Sequence, residues 1–120
     1  MSKILNLAVD KLKDQRPFVD DLDSIIEENE DIKDVLYTAQ HLQLVAVNIP
    51  AGEDIGVETH DSDQFFKVEE GVGKCIINGH EYLIEKGMGV IIPSKSKHNI
   101  VNDSDEELKL FVIYSPPKDK

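Results

Sequence analysis

Cysteine is almost absent from this sequence: Cys75 is the only one, so no internal disulfide can form. It sits in the strand-like run Lys74-Cys75-Ile76-Ile77, the setting of a small buried hydrophobe rather than a nucleophile. Positive charge is also scarce. Lysine and arginine number 13 against 24 acids, for a formal net charge of −11 at pH 7. That balance argues against a nucleic-acid or anionic-membrane partner, since both demand clustered cations. No apolar run approaches the roughly 18 residues that a membrane span needs. The start, Met1-Ser2-Lys3-Ile4-Leu5-Asn6-Leu7, is interrupted by polar residues and followed by Asp10 and Lys11, unlike a secretory h-region, so a cytoplasmic protein is expected. There is no internal repeat, low-complexity linker, Ser-His-Asp order or phosphate-binding loop.

What is present fits one domain. The 120 residues are 40% hydrophobic, enough to line a single core, with no room for a second catalytic or DNA-reading domain. Residues 1–20 are mixed and poorly periodic, with Arg16-Pro17-Phe18 as a break. Leu22, Ile25 and Ile26 then recur at i, i+3, i+4, which predicts one short amphipathic helix from Leu22 to about Glu30. The acids concentrated between Asp20 and Asp31 form its solvated face rather than a docking patch.

From Val35 onward the pattern predicts strands. Leu42 to Ile49 is rich in branched residues and ends at Pro50-Ala51-Gly52. Further runs cover Gln64–Glu69, Lys74–Ile77, His80–Ile84, Val90–Ile92, Asn99–Asn102 and Leu108–Tyr114, and Pro116-Pro117 stops pairing. Asn78-Gly79 between two such runs marks a type I′ hairpin, because both central residues of that turn need positive φ. About eight short strands predict an all-β, closed or double-sheet antiparallel barrel over residues 35–115. A helical extension (1–34) precedes it and a short tail (116–120) follows. An immunoglobulin-like sandwich is the structural rival.

Glu58-Thr59-His60-Asp61-Ser62-Asp63-Gln64 carries the most chemistry. Residues two apart on a strand share a face, so Glu58 and His60 would project together, and Gln64 would point inward with Phe66 and Val68. A second histidine, His98, opens the run His98-Asn99-Ile100-Val101-Asn102. Singly, each has an ordinary structural reading: His60 an exposed turn residue, Gln64 a strand cap, His98 a satisfied core histidine. His80, beside the Asn-Gly turn, and His41 read as structural. Tyr114, Phe66 and Tyr82 read as core before pocket lining, and Lys95 and Lys97 as solvated loop lysines that could instead attract a carboxylate or phosphate.

Together these residues resemble the cupin superfamily. Its first motif is Gly, five residues, His-x-His, three or four residues, Glu, six residues, Gly; here Gly52, Glu58-Thr59-His60, Gln64 and Gly71 hold those places. Its second motif is Gly, five residues, Pro-x-Gly, two residues, His, three residues, Asn; here Gly87, Pro93-Ser94-Lys95, His98 and Asn102 match, with Lys95 for Gly. The resemblance implies an RmlC-like jelly-roll barrel whose Glu58, His60, Gln64 and His98 bind one divalent metal ion. Glu58 stands for a ligand His and Gln64 for the ligand Glu, so one carboxylate and three neutral donors are retained. Glu58, His60 and His98 supply the two-His, one-carboxylate set of non-haem iron sites, with manganese, zinc and nickel as other candidates. The Glu-x-His-x3-Gln variant looks like small stand-alone bacterial cupins of the phosphomannose-isomerase-like group. Isomerase or dioxygenase action on a sugar or carboxylate is what that resemblance implies, with a non-catalytic small-ligand-binding module as the alternative. It also implies a homodimer.

Overall fold

The computed structural model describes residues 16–118; the amino-terminal start discussed above and residues 119–120 lie outside the described residues. Helix α1 spans Leu22–Glu28. Eight strands follow: β1 Lys33–Thr38, β2 Gln43–Ile49, β3 Asp63–Glu70, β4 Val72–Ile77, β5 His80–Glu85, β6 Gly89–Ile92, β7 His98–Val101 and β8 Leu108–Ser115. They form two antiparallel sheets, ordered β1-β2-β8-β3-β6 and β5-β4-β7.

The all-β architecture follows from alternation. In β3 the residues Gln64, Phe66 and Val68 are buried while Phe65 and Lys67 face out. Val45, Val47 and Ile49 of β2 and Leu110, Val112 and Tyr114 of β8 line the same interior, where they meet Cys75, Ile84, Ile92 and Ile100. The sheets thus close over one core, and Cys75 lies fully inside it. β2 reads as a continuous apolar run because its second face is covered too. There α1 lays Ile26 against Leu36, Ala46 and Phe111.

A seven-residue helix has little stability of its own, so its position rests on tertiary anchors. Asp21 caps its amino end, accepting from the Ser24 backbone N–H at 3.3 Å and the Ser24 hydroxyl at 2.9 Å. At the other end the buried Lys109 donates to the Glu27 carbonyl at 3.1 Å, a cation on the negative pole of the helix.

The turns carry the backbone chemistry their residues suggest. Asn78 (φ 49°) and Gly79 (φ 87°) form the predicted hairpin between β4 and β5. Gly71 joins β3 of one sheet to β4 of the other at φ 96°, and a Cβ there would lie 2.4 Å from the Glu107 carbonyl oxygen. Only glycine fits that crossing.

Candidate metal centre

Glu58 and His60 do not stand on a strand, contrary to the extended run expected for them. Residues 50–62 form a loop whose middle runs antiparallel beside β7, tied to it by isolated bridges at Asp54–Val101 and Glu58–His98. The Glu58 N–H donates to the His98 carbonyl at 2.8 Å, and the His98 N–H returns a bond to the Glu58 carbonyl at 2.9 Å. This two-way bond, rather than a shared strand face, sets Glu58 beside His98. His60 is held in turn where its carbonyl accepts from the Lys95 N–H at 2.7 Å. Lys95 makes that bond at φ 68°, a left-handed conformation, which accounts for glycine at this place in the motif.

The consequence is convergence. Glu58, His60 and His98 each offer a donor atom within 4.8 Å of the other two. The imidazoles meet edge to face at 5.0 Å between ring centres, and the ring of Tyr114 packs against His60 at 5.3 Å. Gln64, 3% exposed at the start of β3, brings its Oε1 to 3.1 Å from His60 Nε2. That spacing suits an N–H···O bond, and equally two neighbouring ligands on one ion with bonds of about 2.2 Å.

His98 has a nitrogen free to act as a donor. Its Nδ1 donates to the Ser96 carbonyl at 2.8 Å, so the lone pair sits on Nε2, which is buried and has no hydrogen-bond partner. Burial lowers its pKa, against the raising effect of that carbonyl, and keeps the ring neutral. A buried polar atom without a partner is costly unless something else satisfies it, and a metal ion would. His60 Nδ1 is also buried without a partner, and only one His60 nitrogen can face an ion: Nδ1 when Nε2–H donates to Gln64 Oε1, Nε2 when Gln64 is a fellow ligand.

Two cations flank the carboxylate, and the sequence motifs did not mark them. Lys33 of β1 reaches Glu58 Oε2 at 3.0 Å, and Lys118, beyond β8, reaches Glu58 Oε1 at 3.4 Å and Oε2 at 3.5 Å. Burial alone would raise the Glu58 pKa, but the Lys33 hydrogen bond and the charges of both lysines outweigh it and hold the group below the usual glutamate value. Burial likewise opposes the Lys33 ammonium, yet the Glu58 hydrogen bond prevails and raises its pKa. Both groups are therefore charged at neutral pH. Nothing short-range could have flagged them: 25 positions separate Lys33 from Glu58, and 60 separate Lys118 from it.

The partly open pocket lined by Lys33, Glu58, Gln64, His98 and Tyr114 holds only about 10 Å³, the size of one ion or water. Larger hollows of about 330 and 380 Å³ lie on outer surfaces, lined by Leu83 and Met88 in one case and by Phe65 and Ile91 in the other, away from the histidines. Of the remaining candidates, His80, His41, Tyr82, Lys95 and Lys97 are exposed and Phe66 is pure core.

Comparisons with known proteins agree with this picture. Residues 45–114 match the family model described as the cupin domain. A crystal structure of BH2720 from Bacillus halodurans superposes with a TM-score of 0.83 at 36% identity, covering 88% of this chain and 85% of that one. An RmlC-like cupin from Shewanella frigidimarina, 21% identical, shares the fold with a TM-score of 0.66 over 72% of this chain and 77% of its own. The uncharacterized protein YrkC of Bacillus subtilis is 32% identical over 110 residues, 85% of this chain. The chain spans little more than half the length of curated relatives such as YrkC, 59% in that case. With the family model covering most of this two-sheet barrel, the chain belongs to the cupin family.

Proposed function

We propose that this cupin holds one divalent metal ion through Glu58, His60, Gln64 and His98 and applies it to a small polar molecule. The observation that carries this reading is the buried, unpartnered Nε2 of His98 facing a carboxylate and a second imidazole within 4.8 Å. Two imidazoles, a carboxylate and an amide oxygen form a mixed nitrogen and oxygen set that suits iron or manganese first, then zinc or nickel. When bound, such an ion supplies Lewis-acid polarisation of a carbonyl or activation of oxygen or water. The chain's own residues orient the donors: Ser96 fixes the His98 tautomer, Tyr114 braces the His60 ring, and Lys33 keeps Glu58 ionised. With four protein donors, an ion that takes six ligands would have room for a substrate as well.

The Glu58-x-His60-x3-Gln64 motif supports a place in the phosphomannose-isomerase-like group, and with it isomerase or dioxygenase chemistry on a sugar or carboxylate. One observation favours a second reading, a binding module without turnover: once Glu58 serves as ligand, no other carboxylate lines the pocket among the described residues. Oxygen uptake and isomer exchange across small hydroxy acids and sugars, with iron or manganese supplied, separate the two. Turnover supports the enzyme, and none with any metal establishes the module. Elemental analysis tests the centre itself: the wild-type protein should carry stoichiometric metal and the His60→Ala and His98→Ala variants none, whereas full retention in the variants would place the site elsewhere. We also infer a homodimer. The apolar row Ile113, Phe65 and Ile91 across β8, β3 and β6, with Ile91 70% exposed, supports it, and sedimentation analysis reads it directly.

A further inference from the structure

We propose that Lys33 and Lys118 form an anion clamp at this centre and that the molecule it selects carries a small carboxylate. The inference rests on the metal reading above and deepens it.

The argument starts from charge. In a protein of net charge −11, two ammonium groups far apart in the sequence meet at Glu58, itself one of the candidate metal ligands. The Lys118 side chain is mostly withdrawn from solvent, 19% exposed, whereas Lys33 keeps 35% of its side chain exposed and is placed by its ion pair with Glu58. Lys118 is held further by its position 5.3 Å from the centre of the Tyr114 ring, and its segment is pinned where the Ser62 hydroxyl donates to the Pro116 carbonyl at 2.7 Å. These are placed cations rather than solvated surface lysines.

Glu58 balances one of the two positive charges. A divalent ion would add two more and draw on the same carboxylate. The pocket would then hold an uncompensated excess of positive charge in a partly dry setting, which an anionic ligand relieves. The internal contact already shows the matching geometry: the planar Glu58 carboxylate lies against both ammoniums, at 3.0 Å from one and 3.4–3.5 Å from the other. A ligand carboxylate beside the ion can take up those same donors. The pocket of about 10 Å³ has room for an ion or a water only, so the body of a ligand would lie at its mouth.

The test is calorimetric titration with malonate, inorganic phosphate and glycerol as probes, on protein with measured metal content. Metal-loaded wild type should bind malonate more tightly than phosphate and should not bind glycerol measurably. Lys33→Met and Lys118→Met, which keep the stem and delete the charge, should each weaken malonate about tenfold while retaining the metal. Equal malonate affinity in both variants and wild type, with metal still bound, would overturn the clamp and leave the metal reading intact. Phosphate binding ahead of malonate would overturn the carboxylate assignment. A metal-independent arm uses Glu58→Gln in metal-free protein. Freeing both lysines should raise malonate affinity about tenfold over metal-free wild type, and a second change, Lys33→Met, should abolish the gain. If the wild type takes up no metal, the metal reading falls while this arm still decides the clamp. No gain in Glu58→Gln rejects it.

Discussion

Asn102 offers the sharpest test of how the second motif holds the barrel end together. It is fully buried. Its Nδ2 donates to the Ile49 carbonyl at 2.8 Å and to the Glu106 carbonyl at 2.7 Å, while its Oδ1 accepts from the Ser104 N–H at 3.0 Å and the Ser104 hydroxyl at 2.7 Å. One side chain thus ties the end of β2 to the acidic turn that leads into β8. Asn102→Ala leaves the Ile49 carbonyl facing a dry space without this donor, a penalty of about 1–3 kcal/mol. The contacts with Glu106 and Ser104 are only part-buried, so water replaces them and each loss is about 0.5 kcal/mol. The total is about 3 kcal/mol, or a fall in Tm of about 12 °C for a domain of this size. Urea unfolding followed by far-UV circular dichroism measures it, since the chain has no tryptophan to report by fluorescence. A loss below about 1 kcal/mol at unchanged m would refute the reasoning. Asn102→Asp sharpens the test, because it turns an oxygen toward two carbonyls and should be at least as damaging as alanine. A milder aspartate would mean that the Nδ2 bonds are not what matters.

Gly71→Ala should destabilise by about 2 kcal/mol more than Gly79→Ala. Both have positive φ, but the added Cβ strikes the Glu107 carbonyl only at Gly71 and meets nothing within 4 Å at Gly79; equal losses in urea would contradict the clash. Lys95→Gly should stabilise by about 0.5 kcal/mol, as relief of the left-handed strain exceeds the entropy glycine adds to the unfolded chain, and a clear loss in the same assay would show that the lysine side chain contributes. Gln64→Glu should tighten manganese binding about tenfold by adding a charge beside His60, and unchanged affinity by calorimetry would remove Gln64 from the ligand set. Burial pushes the Cys75 thiol up to about 11, so at pH 8 it should react with a thiol reagent only as fast as the whole protein unfolds; labelling well ahead of unfolding would contradict its placement in the core.

Much of this protein was legible residue by residue. Alternation through Gln64–Val68, the Asn78-Gly79 turn and the apolar steps Leu22, Ile25 and Ile26 are local signals, and the barrel and its helix follow them. The candidate donors Glu58, His60, Gln64 and His98 were also read from local motif spacing. The strand assigned to Glu58 and His60 failed for a physical reason. That segment pairs with β7 only at isolated bridges, through scattered bonds to His98, Ile100 and Asn102 that only the folded sheet supplies.

Tertiary structure alone decided the rest. The convergence of Glu58, His60 and His98 depends on β7 lying beside the 50–62 loop. The charge environment of Glu58 depends on Lys33 and Lys118, far apart in the sequence. The sequence by itself determined the class of fold and the chemistry of the donors, since both are written in short-range pattern. Which charges stand beside those donors, and how little space they enclose, arises from closing the two sheets, and long-range packing leaves no local mark.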